Sequence, residues 1–302
     1  MSILKKSVLP FRGNKHIWYN KFKEIINNLE YENLTVVDVF GGSGLLSHWV
    51  KQLKPNYQVI YNDFDNFTQR LEHMNETEMI RKRLREIIDN NTEVTCNDKK
   101  PLNKTCYDLI RKELIKIKSD YPDFVDWITI SSWLCFSARK TDNLDNILNE
   151  KNYYGKTPKN ELKRYDYLNN VEVIHKDASN PEEFIKYINS IKQNENVIYI
   201  LDPPYLYTEA SGYTSNKKEY FDLKANVYLF YWFIHKIPCL FFTSTKSGLI
   251  ECYNITSKLY NVNDEIKNNE ITKLTAQSGH SGLTYQELLI NRLCLSIDEI
   301  EP

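Results

Sequence analysis

The amino-acid sequence predicts an α/β fold, in which a doubly wound and mostly parallel sheet is interrupted by a helical insertion. Short apolar runs alternate with amphipathic helical patterns near both ends of the chain, which is typical of the strand and helix units of a parallel sheet. Between residues 66 and 168 this alternation stops and only helical periodicity remains. A chain of 302 residues is long enough for one large α/β domain with such an insertion.

The composition excludes several classes of protein. The formal net charge is -1, so any binding of nucleic acid would have to come from local basic patches. The cysteines form no C-x-x-C pair and the histidines have no ligand spacing, so we expect reduced thiols and no metal site. The first residues lack the apolar core of a signal peptide, and the most apolar run, 227–234, is too short to span a bilayer. These features indicate a cytoplasmic protein that does not contact membranes.

The first predicted elements are a helix, a strand and a second helix. The helix, 15–29, is predicted by apolar residues at helical spacing, namely Trp18, Phe22, Ile25, Ile26 and Leu29. The β-branched run 35–40 predicts a buried strand, and 45–53 predicts the helix after it. Between them lies the glycine loop, Gly41-Gly42-Ser43-Gly44. A strand, a glycine loop and a helix in this order open a nucleotide-binding βαβ unit.

Further strands and helices follow the first unit. A second strand, 57–62, ends at Asp63, about 20 residues beyond the glycines, where an acid can accept hydrogen bonds from ribose hydroxyls. In the insertion, two helical faces carry Tyr107, Ile110, Leu114 and Ile117, and Phe124, Trp127, Ser131 and Leu134. The elements predicted after the insertion are a strand at 171–177, a helix at 181–193, a strand at 197–201, a helix at 222–236, and strands at 239–245, 270–275 and 287–293.

The glycine loop is a candidate ligand-binding site, because only glycine lets the backbone come this close to a ligand. The strict G-x-G-x-x-G pattern does not hold, since Ser47 stands where the third glycine would be. No Walker lysine follows, so the sequence excludes a P-loop. Dinucleotide binding and a tight turn without a ligand both stay open.

The second candidate site is the corner that follows the strand 197–201, Asp202-Pro203-Pro204-Tyr205. Prolines lack an N–H and have a fixed φ, so they end the strand in a stiff corner whose carbonyl groups point away from the sheet. An acid and an aromatic ring on such a corner can hold a flat ring that bears an amine. The alternative is an ordinary turn with a solvated Asp202.

These residues resemble the Dam-type, α-group N6-adenine DNA methyltransferases, whose motifs run in the same order. Pro-Phe-Arg-Gly-Asn-Lys at 10–15 resembles the amino-terminal cofactor element of that family, and Asp38 to Gly44 resembles its Asp-x-Phe-x-Gly-Ser-Gly loop. Asn62-Asp63 resembles the Asn-Asp after the family's second strand, Asp202 to Tyr205 its catalytic tetrad, and 286–291 its closing strand. The resemblance covers nearly all of the chain outside the insertion.

The resemblance implies a Rossmann-like methyltransferase sheet, formed by 1–65 and 169–302, that binds S-adenosylmethionine over the carboxyl ends of its early strands. It also implies that the helical insertion, 66–168, is a target-recognition domain that binds double-stranded DNA. A restriction endonuclease is then a further partner to consider, in a restriction–modification system.

The resemblance also suggests which residues contact the cofactor. The expected contacts come from Phe11, Gly13, Lys15, Asp38, Phe40, Gly42, Ser43, Gly44, Asp63 and Asp177. Lys15 is expected at the carboxylate of the methionine moiety and Asp63 at the ribose hydroxyls. Asp177 is equally well explained as a cap of the helix at Pro181, and Phe40 as a core residue.

The expected catalytic residues are Asp202, Pro203, Pro204 and Tyr205. The exocyclic nitrogen of adenine is a poor nucleophile, because its lone pair is delocalised into the ring. If the carboxylate of Asp202 and the carbonyl of Pro203 each accept one N–H, the amine is drawn toward a pyramidal geometry and its lone pair turns toward the methyl donor. A base inside a duplex has to be flipped out, and Tyr205 is expected to stack on it.

In the insertion, residues 151–164 interleave basic residues with Tyr153 and Tyr154, a pattern that suits a phosphate backbone and an exposed base. The candidate DNA contacts are Arg139, Lys140, Lys156 and Lys159. The Arg81-Lys82-Arg83-x-Arg85 run is a further candidate. For any one of these cations, a solvated helix face is the ordinary interpretation.

Three alternative functions stay open. The same corner could act on N4 of cytosine or on adenine in RNA, although a tetrad that begins with Asp rather than Ser favours N6 of adenine in the family that it resembles. A dinucleotide-dependent oxidoreductase would use the glycine loop, but it leaves the Asp-Pro-Pro-Tyr corner unexplained. A non-catalytic DNA-binding relative would keep the fold without turnover.

Overall fold

The computed structural model describes residues 3–11, 13, 15–91, 100–136, 140–204, 227–230, 237–245, 247–251, 255, 270–277 and 284–293. Within these ranges the strands are β1 (Thr35–Asp38), β2 (Gln58–Asn62), β3 (Glu172–Ile174), β4 (Val197–Leu201), β5 (Cys239–Ser244), β6 (Glu270–Gln277) and β7 (Thr284–Arg292). They form one sheet in the order β3-β2-β1-β4-β5-β7-β6. Neighbouring strands from β3 to β5 are parallel, whereas β7 runs antiparallel to both β5 and β6. The structure confirms the predicted α/β fold with a mostly parallel, Rossmann-like sheet.

The described helices flank the sheet or fill the span between β2 and β3. They are α1 (Tyr19–Asn27), α2 (Leu45–Leu53), α3 (Phe67–Glu72), α4 (Met74–Asn91), α5 (Lys104–Asp120), α6 (Trp127–Leu134), α7 (Leu144–Leu148) and α8 (Pro181–Ile191), with a 3-10 turn at His16–Trp18 before α1. The helix predicted at 222–236 lies mostly outside the described residues, of which 227–230 are helical. In the described part of the chain, no helix combines the length and apolarity needed to cross a membrane.

Two apolar layers cover the two faces of the sheet. Successive residues of a strand point to opposite faces, so Val36 joins the layer that contains α1 and α2, and Val37 joins the layer that contains α8. The strands β1, β2, β4 and β5 are buried almost throughout. A strand covered on both faces needs apolar residues without alternation, which is why their continuous apolar runs could be recognised in the sequence.

A third apolar core lies within the helical span. It is built mainly from α4, α5 and α6, and its members include Leu84, Ile110 and Ile130. The ends of the predicted insertion belong elsewhere, because Phe67 of α3 and the pair Tyr167–Leu168 pack in the core of the sheet. The separate helical core therefore lies inside the span 66–168 and does not extend over all of it.

The sheet brings the ends of its first strands together through Asn62, the last residue of β2. The Asn62 Nδ2 donates to the carbonyl oxygens of Val39 and Lys176, both at 2.9 Å, and its Oδ1 accepts from the Lys176 N–H at 2.8 Å. The residues that follow β1 and β3 are thus fixed to β2. Since β1 has β2 on one side and β4 on the other, the direction of strand order reverses at the carboxyl end of β1, where doubly wound sheets bind their ligands.

We expect Asn62→Ala to destabilise the protein by roughly 2–4 kcal/mol, because it leaves two carbonyl groups and one N–H without their partner. The measurement is the free energy of unfolding in urea. Asn27→Ala, at an exposed position on α1, is the matched control and should change this free energy by less than about 0.5 kcal/mol. Equal values for the two variants would contradict the role of Asn62 in joining the strand ends.

Candidate active site

Two carboxylates lie where the strand order reverses. Asp38 is the last residue of β1 and pairs in register with Ile200 of β4, and the N–H of Val39 donates to the Ile200 carbonyl at 3.0 Å. Asp202 follows β4 directly. Because adjacent parallel strands end at the same edge of the sheet, the predicted glycine loop and the predicted acid–proline corner lie side by side.

Lys15 supplies a positive charge at this edge. Its Nζ lies 2.7 Å from Asp202 Oδ2, and it also donates to the Gly13 carbonyl at 3.4 Å. The side chain is buried and passes over the ring of Phe242, with Nζ 5.8 Å from the ring centroid. The predicted partner of Lys15 was a cofactor carboxylate; in this structure its ammonium group is bonded to the predicted catalytic acid.

The environment of Asp202 opposes its ionisation. Loss of solvent raises the pKa of the Asp202 carboxyl, the charge and hydrogen bond of Lys15 lower it, and the negative charge of Glu287 raises it again. The net result is a pKa above the ordinary value. Glu287 is a buried residue of β7 that pairs in register with Ser244 at the end of β5, next to β4. Lys15 is therefore the group that favours the carboxylate form of Asp202.

Asp38 is the most strongly perturbed acid of the site. Burial raises its pKa to about 7, against the effect of the Ser47 hydroxyl, which donates to Asp38 Oδ2 at 2.7 Å. The negative charge of Asp202 raises it further. The other oxygen, Oδ1, is buried and has no hydrogen-bond partner among the described residues. A buried acceptor without a partner is costly, so Asp38 Oδ1 is suited to a donor from a ligand.

The glycine loop is held in a conformation that requires its glycines. Gly42 and Gly44 have φ of +51° and +70°, and a Cβ atom at these positions would lie 2.8 Å from Phe11 and 2.7 Å from Leu168. The Tyr61 hydroxyl donates to the Gly42 carbonyl at 2.7 Å. From the other side, the hydroxyl of Tyr167 donates to the Ser43 carbonyl at 2.9 Å. The predicted residues Phe11, Gly42, Ser43 and Gly44 are thus brought together beside Asp38.

Asp63 ends β2 as predicted, but its side chain has another role in this conformation. It is fully buried, and its oxygens accept from the backbone N–H groups of Phe67 and Thr68 at 2.7 and 2.8 Å and from the Thr68 hydroxyl. The Tyr61 hydroxyl, which donates to the Gly42 carbonyl, lies 3.1 Å from Asp63 Oδ1. The bonds from Phe67 and Thr68 satisfy the first N–H groups of α3. A ribose would have to displace one of these donors, so binding of ribose by Asp63 stays a prediction that this geometry does not favour.

The remaining predicted cofactor contacts are less enclosed. Gly13 is exposed, and Phe40 is half-buried against the apolar layer that contains α8. Asp177 is exposed and accepts from the Ser179 N–H at 2.7 Å, while α8 is capped by Asn180, whose side chain accepts from Glu183 N–H. The alternative interpretation of Asp177 as the helix cap is therefore wrong, because Asn180 fills that position.

Two predicted site residues lie outside the described residues. They are Tyr205, the last residue of the tetrad, and Arg139 of the insertion. Within the tetrad, Pro203 is buried and Pro204 half-buried directly after Asp202. The stacking role of Tyr205 and the DNA contact of Arg139 stay predictions.

The other candidate DNA contacts lie on the helical span. Lys156 Nζ lies over the rings of Phe136 and Tyr154, at 5.6 and 5.2 Å from their centroids. Phe136 is 46% exposed, Lys159 is exposed and Lys140 is partly exposed. We call Phe136, Lys140, Tyr154, Lys156 and Lys159 the basic–aromatic surface. Phe136 was not named as a candidate contact from the sequence, because it ends an apolar run.

Other interpretations of the basic and aromatic residues are corrected. Tyr153 is fully buried, its hydroxyl donates to the Ile147 carbonyl at 3.0 Å, and its ring stacks on Tyr107. It is a core residue and cannot contact DNA. Arg81 and Arg85 are buried as well, so neither a DNA contact nor a solvated helix face describes them.

Sequence reasoning missed three polar residues of the site. Ser47 was noted only as an absent third glycine, yet its hydroxyl binds Asp38. Glu287 was noted only as part of a strand, and Asn62 only as part of a motif. Ser47 could have been found from its position in the first turn of α2, where its side chain points back toward β1. The proximity of Glu287 to Asp202 follows from the β5–β7 pairing, which the sequence does not specify.

An acid–proline corner beside a glycine loop, at the reversal of a Rossmann-like sheet, defines a methyltransferase. Comparison with known proteins agrees. Residues 11–236 match the family described as D12 class N6 adenine-specific DNA methyltransferase. A Haemophilus influenzae protein named "Putative methyltransferase" is 35% identical over 254 residues, which cover 83% of this chain and 79% of that protein. The chain belongs to the D12 class N6 adenine-specific DNA methyltransferase family, as its motifs predict.

The raised pKa of Asp38 predicts a pH-dependent stability. This carboxyl ionises near its ordinary pKa of 3.8 in the unfolded chain but only near 7 in the folded protein. Its favourable contribution to folding is complete below pH 3.8 and is lost as the pH rises to about 7. Asp38→Asn cannot ionise, so its free energy of unfolding should rise relative to the wild type across this window, by up to about 4 kcal/mol.

The measurement is urea unfolding of both proteins at a series of pH values. Asp123→Asn, at an exposed loop position, is the matched control. A difference between Asp38→Asn and the wild type that stays constant across the window would contradict the buried, neutral state of Asp38.

Proposed function

We propose that the protein transfers a methyl group from S-adenosylmethionine to the N6 amine of an adenine that is flipped out of double-stranded DNA. The observation that carries the proposal is the position of Asp202: it follows β4 next to Asp38 and the glycine loop, where the strand order reverses. The methyl carbon and the amine nitrogen have to be held about 3–3.5 Å apart before transfer, and this edge of the sheet offers adjacent sites for the donor and the acceptor. Family membership supports the same reaction.

The residues present fit S-adenosylmethionine. Its methionine moiety carries an ammonium group and a carboxylate, and the site offers the unpartnered Asp38 Oδ1 as an acceptor and Lys15 as a cation. The bends at Gly42 and Gly44 keep side chains away from the loop backbone, which lets a ligand approach it. When bound, the cofactor supplies a methyl group on a positively charged sulfur.

Asp202 and Pro203 would act on the amine. The Asp202 carboxylate accepts one N–H and the Pro203 carbonyl accepts the other, which orients the nitrogen lone pair for in-line transfer. Both acceptors are fixed by the end of β4 and by the prolines, so little reorganisation is needed, and orientation of this kind can contribute about 7–11 kcal/mol. Lys15 favours the ionised form of Asp202, since its charge and hydrogen bond lower the pKa of that carboxyl.

Double-stranded DNA is the proposed partner of the basic–aromatic surface. Lys156 over the exposed ring of Phe136 and the partly exposed ring of Tyr154, together with the exposed Lys159, suits a phosphate backbone next to an unstacked base. Arg139 and Tyr205 remain proposed contacts, to the phosphates and to the flipped base. N4 of cytosine and adenine in RNA are the alternative acceptors. A restriction endonuclease stays a predicted partner, and none of the described contacts tests this prediction.

We expect the wild type to form N6-methyladenine in unmethylated duplex DNA of mixed sequence, and Asp202→Asn to reduce this activity at least about a hundredfold, because an amide is a weaker acceptor for the amine than a carboxylate. The measurement is mass spectrometry of the digested nucleosides, which separates N6-methyladenine from N4-methylcytosine. Binding of S-adenosylhomocysteine and the unfolding temperature test whether the variant is folded.

The controls for this experiment are Asp123→Asn, which should keep full activity, and single-stranded RNA as an alternative substrate. Formation of N4-methylcytosine would show that the acceptor is cytosine and not adenine. Methylation of RNA in preference to DNA would show that the substrate is RNA. Full activity of Asp202→Asn would refute the mechanism.

The pair Lys15–Asp202 predicts the pH dependence of the reaction. In Lys15→Met the charge that lowers the pKa of Asp202 is absent, so this carboxyl should ionise at a higher pH than in the wild type. The acid limb of the pH–rate profile, measured at saturating S-adenosylmethionine, should therefore move to higher pH. Lys15→Arg should keep the wild-type profile, and so should Lys21→Met, which removes a surface cation paired with Glu24 and Glu270. An acid limb at the same pH in Lys15→Met and the wild type would contradict this role of Lys15.

A further inference from the structure

We propose that Arg81 and Arg85 of α4 are positioning residues for DNA recognition. They hold the segment 156–162, here called the basic segment, so that Lys159 is presented to the phosphate backbone. This inference rests on the proposed function, because it takes DNA as the partner of the basic–aromatic surface. It assigns a role to two arginines whose described hydrogen bonds go to α4 and to the basic segment.

Arg81 binds the backbone of the basic segment directly. Its Nη1 donates to the carbonyl oxygens of Pro158 and Lys159, at 2.7 and 3.1 Å. Its Nε and Nη2 donate to the two oxygens of Glu78, both at 2.7 Å. The fork-to-fork pair with Glu78 fixes the plane of the guanidinium group, so its remaining nitrogen points at the segment in one orientation.

Glu78 and Arg85 complete the attachment. Glu78 Oε2 accepts from the Leu162 N–H at 3.0 Å, and Arg85 Nη1 donates to the Thr157 carbonyl at 3.2 Å. Three successive carbonyl groups, of residues 157 to 159, and one N–H are thus bound to side chains of α4. The segment has no helix or strand of its own. The Lys156 N–H donates to the Trp133 carbonyl of α6 at 3.1 Å, and from residue 157 onward the described backbone bonds of the segment go to α4. The backbone conformation of 157–162 therefore depends on the bonds to α4.

The attachment leaves the Lys159 side chain on the outside. The carbonyl groups of residues 157 to 159 face α4, and Lys159 is exposed. Lys156 is partly exposed above Phe136 and Tyr154, where its Nζ also donates to the Cys135 carbonyl at 3.2 Å. Arg85 Nη2 also bonds Asp89, an acid whose pKa is lowered first by Arg85 and also by the charge of Lys159. Arg85 offsets the negative charge beside Lys159, which would otherwise repel a phosphate.

The same helix contains a matched control. Arg83 lies between the two positioning arginines in sequence but points to α5, where it pairs with Glu113 at 2.5 Å and Asp120 at 2.8 Å. Its replacement removes an arginine and two ion pairs from α4 without removing any described bond to the basic segment. A general effect on the helix should appear in variants of Arg83 and Arg81 alike, whereas positioning of the segment should appear only at Arg81.

The test is a double-mutant cycle on DNA binding by the full-length protein. The probe is a fluorescently labelled duplex of mixed sequence, titrated in a series of salt concentrations. We expect Lys159→Ala to weaken binding about threefold to tenfold and to lower the salt slope by about one, as for the loss of one phosphate contact. Arg81→Gln should weaken binding about tenfold. Adding Lys159→Ala to Arg81→Gln should then have little further effect, because the lysine is no longer positioned.

Arg83→Gln should change DNA binding less than about twofold and should add to Lys159→Ala independently. Affinity for S-adenosylhomocysteine should be unchanged in every variant. If Arg81→Gln does not fold, as judged from that affinity and from thermal unfolding, Arg81→Lys replaces it in the cycle; it keeps the charge but cannot hold Glu78 and both carbonyl groups together.

Two outcomes would overturn the inference. One is additivity of the Arg81 and Lys159 variants in DNA binding, and the other is an equal effect of Arg81→Gln and Arg83→Gln. Failure of the proposed DNA surface looks different: Lys156→Ala and Lys159→Ala would then bind DNA as tightly as the wild type. Failure of the proposed reaction would be seen in the nucleoside analysis. The double-mutant cycle could still be interpreted, because it measures DNA binding and not methyl transfer.

Discussion

The candidate site depends on one ion pair, in which the ammonium group of Lys15 balances the negative charge of Asp202. Asp38 and Asp202 are brought together by the pairing of β1 and β4, and loss of solvent raises the pKa of both. Lys15, 2.7 Å from Asp202, is the group that opposes this effect at Asp202. Lys15 directly precedes the 3-10 turn and α1, whose Trp18 and Phe22 are packed into the core of the sheet. The charge state of the site is therefore set by how the amino-terminal segment packs.

The sheet could be predicted from the sequence, because strands buried on both faces leave continuous apolar runs. The apolar runs that end near Asp38 and Asp202 predicted the positions of both carboxylates, and the run at β1 also predicted the glycine loop between strand and helix. Their adjacency could not be derived in the same way, since it depends on the strand order and on the pairing register of β1 with β4. The expectation that they meet came from the resemblance of the motifs to a known family. The match to the family model confirms that resemblance.

Polar side chains were predicted less well than strands, and the reason is physical. A sequence shows that a residue is charged, but it does not show which groups surround it after folding. Lys15 was expected to meet a ligand and is bonded to Asp202 in this structure; Asp63 was expected to meet a ribose and caps α3. Both residues were placed at the correct edge of the sheet. Small differences in the positions of neighbouring groups decide which hydrogen bonds these side chains form, and sequence periodicity does not contain that information.

The arginines of α4 illustrate the same limit in the helical span. A run of cations usually indicates a solvated face, yet Arg81 and Arg85 are buried and use their fixed donor geometry on backbone carbonyl groups. Arginine suits this task because its hydrocarbon stem packs in an apolar environment while its planar head satisfies several acceptors at once. The helical span thus combines an apolar core with a polar attachment of its irregular segment.

The chain that returns from the helical span does not simply connect it to β3. Tyr167 bonds the Ser43 carbonyl, and the Leu168 side chain lies where a Cβ atom of Gly44 would be. The glycine loop is therefore shaped partly by residues that, in the order of the chain, belong to the end of the insertion. Exchange of the helical span between relatives would have to leave residues 167–168 with the sheet. A junction placed after them would put foreign side chains against the glycine loop.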